Sequence, residues 1–291
     1  MKGMNSIMEE KYKDVLKVPV AKRTREILRA FKLRASHRLG QNFLIDQSVV
    51  EDIVAAAEIE PMEKVLEIGP GIGSLTSGLL EAGAKVTAVE LDKKLPAVLS
   101  ETLREYEDFT LVSGDILKVD LTEIMGNESD KVVANLPYYI TTPILLTLLE
   151  RRLPITKIVT MIQKEVAERI VAKPGGKDYG AVTLAFNYYT NARIYREVAP
   201  SSFYPAPEVT SAVLVADVLD TPSVKAQDEK LLFKLIRGAF NQRRKTLLNA
   251  LKGAGFPKEE VGVALEKAGI DGSRRGETLS LLEFAKLADC I

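Results

Sequence analysis

Asn135-Leu136-Pro137-Tyr138 closes the apolar run Val132-Val133-Ala134 and sets an amide, a proline without a backbone donor and an aromatic ring where a buried strand would end. Such groups suit a flat, polar, hydrogen-bonding partner, and they suggest a pocket for a nucleobase amine. Taken alone, the four residues favour a plainer reading, a strand followed by an Asn-Pro turn. Three further groups sit in matching positions. Glu67-Ile68-Gly69-Pro70-Gly71-Ile72-Gly73 follows the short apolar run 64–68 and precedes the helical spacing of Leu75, Leu79 and Leu80. Strand, glycine turn and helix in that order open a doubly wound nucleotide fold, where glycines let the backbone approach a ligand. Glu90 ends the run Lys85 to Val89, 21 residues past Gly69, where a carboxylate can accept hydrogen bonds from ribose hydroxyls. Asp115 follows the run Thr110 to Val112 and Gly114, and could face the adenine amine of the same ligand. Each acid alone is more often a turn residue. Four such groups at the ends of four successive strands mark the ligand crevice of an open α/β sheet.

The glycine spacing separates two nucleotide chemistries. A dinucleotide fingerprint wants G-x-G-x-x-G, yet from Gly69 the third position is Ser74 and Gly73 comes one residue early. The order Gly-x-Gly-x-Gly departs from a dehydrogenase and matches the glycine loop of class I methyltransferases that bind S-adenosylmethionine.

Around these groups the elements follow from pattern. Residues 22–38 alternate cations with Ile27, Leu28, Phe31 and Leu33 on roughly one helical face. Leu39-Gly40-Gln41-Asn42-Phe43-Leu44-Ile45-Asp46 reads as a loop that folds over something, and Ser48-Val49-Val50-Glu51 as a capping box for a helix to about Ala57. Thr142-Pro143 predicts an N-cap with proline at the first helical position. A fifth strand is expected over 157–161, helices over 163–172 and 179–189, and a final strand pair over 193–198 and 211–218. Three prolines in 200–207 stiffen the loop that carries Phe203, whose bland role is a packed aromatic. Thr221-Pro222-Ser223 marks a linker. Beyond it lie one long amphipathic helix over 231–251, a helix over 258–268 and a last one capped by Ser280-Leu281-Leu282-Glu283. The expected division is a basic N-terminal arm (1–40), an α/β domain (41–219) and a small helical domain (220–291).

The composition narrows the class further. Hydrophobic residues are 46% and charged residues 27% of 291, as in globular chains. No apolar run reaches the ~18 to 20 residues of a membrane span, and the N-terminus lacks signal-peptide features, so a cytoplasmic protein is expected. One cysteine, Cys290, and one histidine, His37, argue against a thiolate or His-rich metal site. The net charge of zero hides a segregation: residues 1–40 hold 11 Lys+Arg against 4 Asp+Glu, and 220–291 hold 13 against 10, leaving an acidic middle. Basic ends suggest a polyanion gripped from the edges, although a solvated amphipathic helix over 23–38 explains the first as well.

Taken together, Gln41-Asn42-Phe43-Leu44, the glycine loop from Leu66 to Gly73, Gly114-Asp115, Asn135-Leu136-Pro137-Tyr138, the run Gln163 to Arg169, the run Phe240 to Leu247 and Arg274-Arg275-Gly276-Glu277 closely resemble the small-subunit rRNA adenine dimethyltransferase family, from about residue 22 to 287. The resemblance implies a class I methyltransferase fold, Rossmann-like, with a mostly parallel seven-stranded sheet and a small all-α C-terminal domain. It implies S-adenosylmethionine as donor, no metal, and transfer of two methyl groups to each of two adjacent adenines in the 3′-terminal hairpin of 16S rRNA, within a 30S assembly intermediate and by a monomer. Carried over by motif, Asn42 and Leu44 lie along the cofactor, Gly69 contacts its methionine part, Gly71 belongs to the same cofactor site, Glu90 lies at its ribose, Asp115 at its adenine, and Asn135 bridges cofactor and target. Leu136, Pro137 and Tyr138 complete the target pocket, with Phe203 stacking from the stiff loop. Arg243, Arg244, Lys245, Arg34 and Arg38 are expected on RNA phosphates. A neutral chain departs from the clearly basic character common among such enzymes. The nearest rival is the related 23S rRNA adenine methyltransferase, disfavoured by the C-terminal motifs; an RNA-binding assembly factor with a vestigial site and a dehydrogenase are more distant.

Overall fold

The structure, a computed structural model, describes residues 18–126 and 130–291. Residues 1–17 of the basic arm, and the side chain of His37, lie outside the described residues. Among those described, nine strands form two sheets: β1 (Phe43–Leu44), β2 (Lys64–Ile68), β3 (Lys85–Glu90), β4 (Phe109–Ser113), β5 (Asp130–Asn135), β6 (Ile155–Gln163), β7 (Thr190–Val198), β8 (Phe203–Tyr204) and β9 (Ser211–Val218). β1 and β8 pair antiparallel; the other seven form one sheet in the order β4-β3-β2-β5-β6-β9-β7. The pairs β2/β3, β3/β4, β2/β5 and β5/β6 are parallel. A parallel sheet is covered on both faces, which explains why β5 and β6 read as near-continuous apolar runs rather than alternating ones.

The chain divides into two compact units, one of residues up to Lys164 with Ile194–Val215, the other of Glu165–Arg193 with Ala216–Ile291. The first holds the nucleotide-type sheet. Its core joins Val49, Ile53, Leu75, Leu79, Val86, Leu99, Val133 and Val159. The helix expected over 22–38 is shorter, Val20–Ala30, and Lys32 has a positive φ of 51° just past its end. Arg23 is not a free cation of the arm: it is buried and donates to Ser77 Oγ at 3.0 Å. The next helix, Gln47–Ala57, is capped not by Ser48 but by Asp46, whose carboxylate accepts from Ser48 N at 3.0 Å and from Ser202 Oγ at 2.9 Å. The helix after β5 likewise starts two residues early, as Thr141–Glu150 with Ile140 rather than Thr142 at the N-cap position, and Thr141 Oγ1 donates to Pro137 O at 3.1 Å.

The second unit gathers more chain than the 220–291 boundary would give it. Tyr188 and Tyr189, on the helix Ala181–Tyr189, pack against Phe233 and donate to Glu229 at 3.1 and 2.7 Å. Tyr179 Oη donates to Leu279 O at 2.8 Å. These aromatic contacts, invisible to a composition boundary, hold 165–193 to the C-terminal helices. The single helix expected over 231–251 is two, Glu229–Asn241 and Leu247–Gly253. It breaks at Arg243, which donates through Nη2 to the carbonyls of Lys177 (2.8 Å) and Tyr179 (3.3 Å) and through Nε to Glu277 (3.2 Å). Gly276 lies against the end of the first of these helices, where an added Cβ would come within 2.8 Å of Ala239 Cβ. The last helix, Leu281–Ala288, carries the expected capping box of Ser280 and Glu283.

Candidate active site

The carboxyl ends of the parallel strands are brought level by register. Ile68 of β2 pairs with Val89 of β3 on one side and with Ala134 of β5 on the other. Gly69, Glu90 and Asn135, each the next residue along, therefore emerge at one height. Glu90 pairs with Ser113, which puts Gly114 and Asp115 beside them. One cleft gathers Asn42, Leu44, Gly69, Gly71, Glu90, Asp115 and the whole run Asn135 to Tyr138. The loop 39–44 does fold over it, and β1 is held there by pairing with β8.

Within the cleft, Glu90 is the most constrained acid. Its carboxylate accepts from Asp92 N at 2.7 Å and from Gly71 N at 3.2 Å, so it is aimed by two backbone donors. Burial nevertheless raises its pKa above the ordinary carboxylate value. Gly69 and Gly71 have φ of 68° and 62°, a conformation that glycine adopts without strain. Beside Gly69 the space a Cβ would face is open to 4 Å, room for a ligand against bare backbone. Asp115 accepts from Leu117 N at 3.1 Å and pairs with the exposed Lys118 at 3.5 Å, so its carboxylate both caps a turn and lines the cleft. A buried carboxylate, a bare glycine backbone and apolar walls fit a nucleoside carrying a short polar tail.

Asn135 is oriented by one bond. Its Nδ2 donates to the carbonyl of Asn42 at 3.1 Å, which leaves Oδ1 as the uncommitted acceptor of a side chain that lines the cleft. The turn behind it is fixed by Leu136 N donating to Met161 O at 3.1 Å. Tyr138 is half-buried, its hydroxyl 2.6 Å from Ser211 Oγ, and burial raises its pKa.

Phe203 is placed differently from expectation. It is 2% exposed, sits in the core with Phe43, Leu44 and Val198, and pairs across β8/β1 with Leu44, outside the lining of the cleft. Its ring is committed to packing the loop that covers the cleft, and the exposed aromatic of that pair is Tyr204. The expected phosphate contacts also divide. Arg34, Arg38, Arg243, Arg244 and Lys245 are all exposed, but Arg243 is also held in the clasp described above.

Two groups at the site carried no role in the sequence reading. Glu67 lines the cleft at 1% exposure, and its Oε2 has no hydrogen-bond partner among the described residues. Burial, reinforced by the charge of Glu90, pushes its carboxyl up to about 8. The signal was present as an acid inside the apolar strand Val65-Leu66-Glu67-Ile68. Gln41 accepts from Ser36 N at 2.8 Å and donates to Asp92 at 2.9 Å, fastening the covering loop to the turn after Glu90. Nothing in a single sequence pairs residues 51 apart.

Comparison with known proteins gives this geometry a family. The profile of ribosomal RNA adenine dimethylases matches residues 32–291. The ribosomal RNA small subunit methyltransferase A of Clostridium botulinum (strain Langeland) is 51% identical over 269 residues, 92% of this chain and 98% of the relative. That of Clostridium acetobutylicum is 52% identical over 267 residues, 91% and 97% of the two chains. A dimethyladenosine transferase from Plasmodium falciparum superposes with a TM-score of 0.72 at 28% identity, over 84% of this chain and 95% of that one. The 23S rRNA methyltransferase ErmE shares the fold, with a TM-score of 0.66 at 24% identity over 86% and 99%. The chain belongs to the ribosomal RNA adenine dimethylase family, methyltransferases that take their methyl groups from S-adenosylmethionine.

Proposed function

We propose that this enzyme dimethylates the 6-amino groups of two adjacent adenines in the 3′-terminal hairpin loop of 16S rRNA, as a monomer in the cytoplasm, during maturation of the 30S subunit. The small-subunit relatives support the choice of RNA. The observation that carries the chemistry is the fixed amide of Asn135, with its nitrogen committed to Asn42 and its oxygen free.

The exocyclic amine of adenine is a poor nucleophile because its lone pair is delocalised into the ring. Asn135 Oδ1 and the backbone carbonyl of Leu136 accept its two hydrogens and draw the nitrogen towards tetrahedral geometry, exposing the lone pair. Pro137 stiffens the turn that holds both acceptors. S-adenosylmethionine, when bound, supplies a methyl group on a positively charged sulfur. Glu90 accepts from its ribose hydroxyls, Asp115 from its adenine amine, Gly69 and Gly71 admit its methionine part, and Asn42 and Leu44 cover it. Rate enhancement then comes from positioning and preorganised acceptors rather than from a side-chain base, since a methylated aryl-ammonium gives its proton readily to water. Tyr138 offers one stacking face, a contact that contributes about 1–3 kcal/mol per base in single-stranded recognition. An unpaired loop base leaves its stack at low cost.

Primer extension on 16S and 23S rRNA from a deletion strain tests the substrate. Dimethylation blocks the Watson–Crick edge, so adjacent stops in the 16S 3′ hairpin should vanish on deletion and return with the gene. Unchanged 16S stops, or stops lost from 23S rRNA, would overturn the proposal.

A further inference from the structure

A second cleft adjoins the first. It shares Gly40, Gln41, Asn42 and Tyr138 with the cofactor cleft, and its remaining wall is Ala35 and Gln163 with the segment Pro205 to Val209. It is not cationic: among the described residues no lysine or arginine lines it, and the one charged residue in its lining, Glu208, is of the sign that repels phosphate. An aromatic ring, two prolines and three primary amides are a lining for an uncharged planar ring, not for RNA backbone. Of the three amides, Gln41 is bonded to Ser36 and Asp92, and Asn42 donates to Gly40 O at 3.2 Å. The side chain of Gln163 has no such bond among the described residues, although its position is fixed. It ends β6, the strand beside β5, two residues past the Met161 that pairs with Asn135, and the next residue's N–H is held by Thr210 O at 3.0 Å.

We infer that Gln163 reads the acceptor base, donating its amide N–H to a ring nitrogen of the adenine that flanks the 6-amino group held by Asn135 and Leu136. The inference rests on the proposed adenine substrate and adds a specificity-determining residue to it. Adenine presents an acceptor on each side of its amine, N1 and N7. With the amine's hydrogens already accepted by Asn135 and Leu136, the unmet group beside it is an acceptor, and a primary amide supplies the donor. Pro205 and Pro207 line this cleft together with Tyr138, whereas the buried Phe203 does not.

The test pairs Gln163→Leu and Gln163→Glu with 16S hairpin-containing subunits carrying 1-deaza- or 7-deazaadenine at the target, each replacing one ring nitrogen by C–H. Both variants should bind S-adenosylmethionine with unchanged affinity by calorimetry and melt with the wild type, yet lose about ten-fold in kcat/KM. Wild type should lose a similar factor on one of the two deaza substrates, and the variants should lose nothing further on it. Full activity of both variants, or losses that multiply on both deaza substrates, would overturn the role of Gln163. Absence of any methylation of native RNA by the wild type would instead refute the substrate proposal itself.

Discussion

At the scale of single residues, the proposed acceptor role of Asn135 rests on a group with one half committed: its amide nitrogen donates to the carbonyl of Asn42. Asn135→Ala removes the acceptor but no cleft-lining backbone, so methylation should fall by at least a hundred-fold while calorimetry still detects cofactor binding; near-normal turnover would contradict the acceptor role. Glu67 makes a separate, pH-dependent statement. Folded, its carboxyl titrates at about 8; unfolded, it titrates near the ordinary 4.5. The folded state therefore keeps a proton that the unfolded state releases, and this contribution to stability is full below about pH 4.5 and lost as pH rises to about 8. Glu67→Gln is neutral throughout. Its melting temperature should decline less than the wild type's between about pH 5 and pH 8, and parallel declines would show that Glu67 is ionised in the fold.

At the scale of elements, local signals were legible wherever short-range chemistry decides. The capping box at Ser280 and Glu283 was readable because its partners are three residues apart, and the structure adds Arg274, whose bond to Glu283 helps hold that carboxyl down at about 2. Ser280→Ala should cost about 1 kcal/mol in denaturant unfolding, and no measurable loss would mean that the last helix is held by packing alone. The level ends of β2, β3 and β5 were also legible, since parallel strands ending in Gly69, Glu90 and Asn135 have few ways to line up. What failed to show was long-range. Asp46 took the cap expected of Ser48 because Ser202 meets it from across the fold. The helix expected to run through Arg243 ends at Asn241, and the Arg243 side chain in the break is held by carbonyls 64 and 66 residues away. Phe203 looked like a stacking ring and is a core residue because β8 needs a partner for Leu44.

At the scale of the whole molecule, a chain of zero net charge must hold a polyanion with local clusters rather than with its total field. Binding to 30S particles should therefore fall steeply with salt, and a salt-independent affinity would contradict phosphate contacts. The structure sharpens which cations matter. Replacing Arg244 and Lys245 together should lower the slope of log affinity against log salt by about 1 to 2 with the melting temperature unchanged. Arg243→Ala should instead destabilise its unit, because the carbonyls of Lys177 and Tyr179 lose their donor. No helix among the described residues is long and apolar enough to cross a membrane. In the proposed reaction, an acceptor pair at Asn135 and Leu136 presents an adenine amine to a methyl donor, on each of two neighbouring bases. Mass spectrometry of the 16S 3′ hairpin, after incubating unmethylated 30S particles with the purified enzyme and isotope-labelled S-adenosylmethionine, tests it most directly. Two adjacent adenines, each carrying two labelled methyl groups on the 6-amino nitrogen, are the predicted result; an unlabelled hairpin, or label on any other atom, would contradict it.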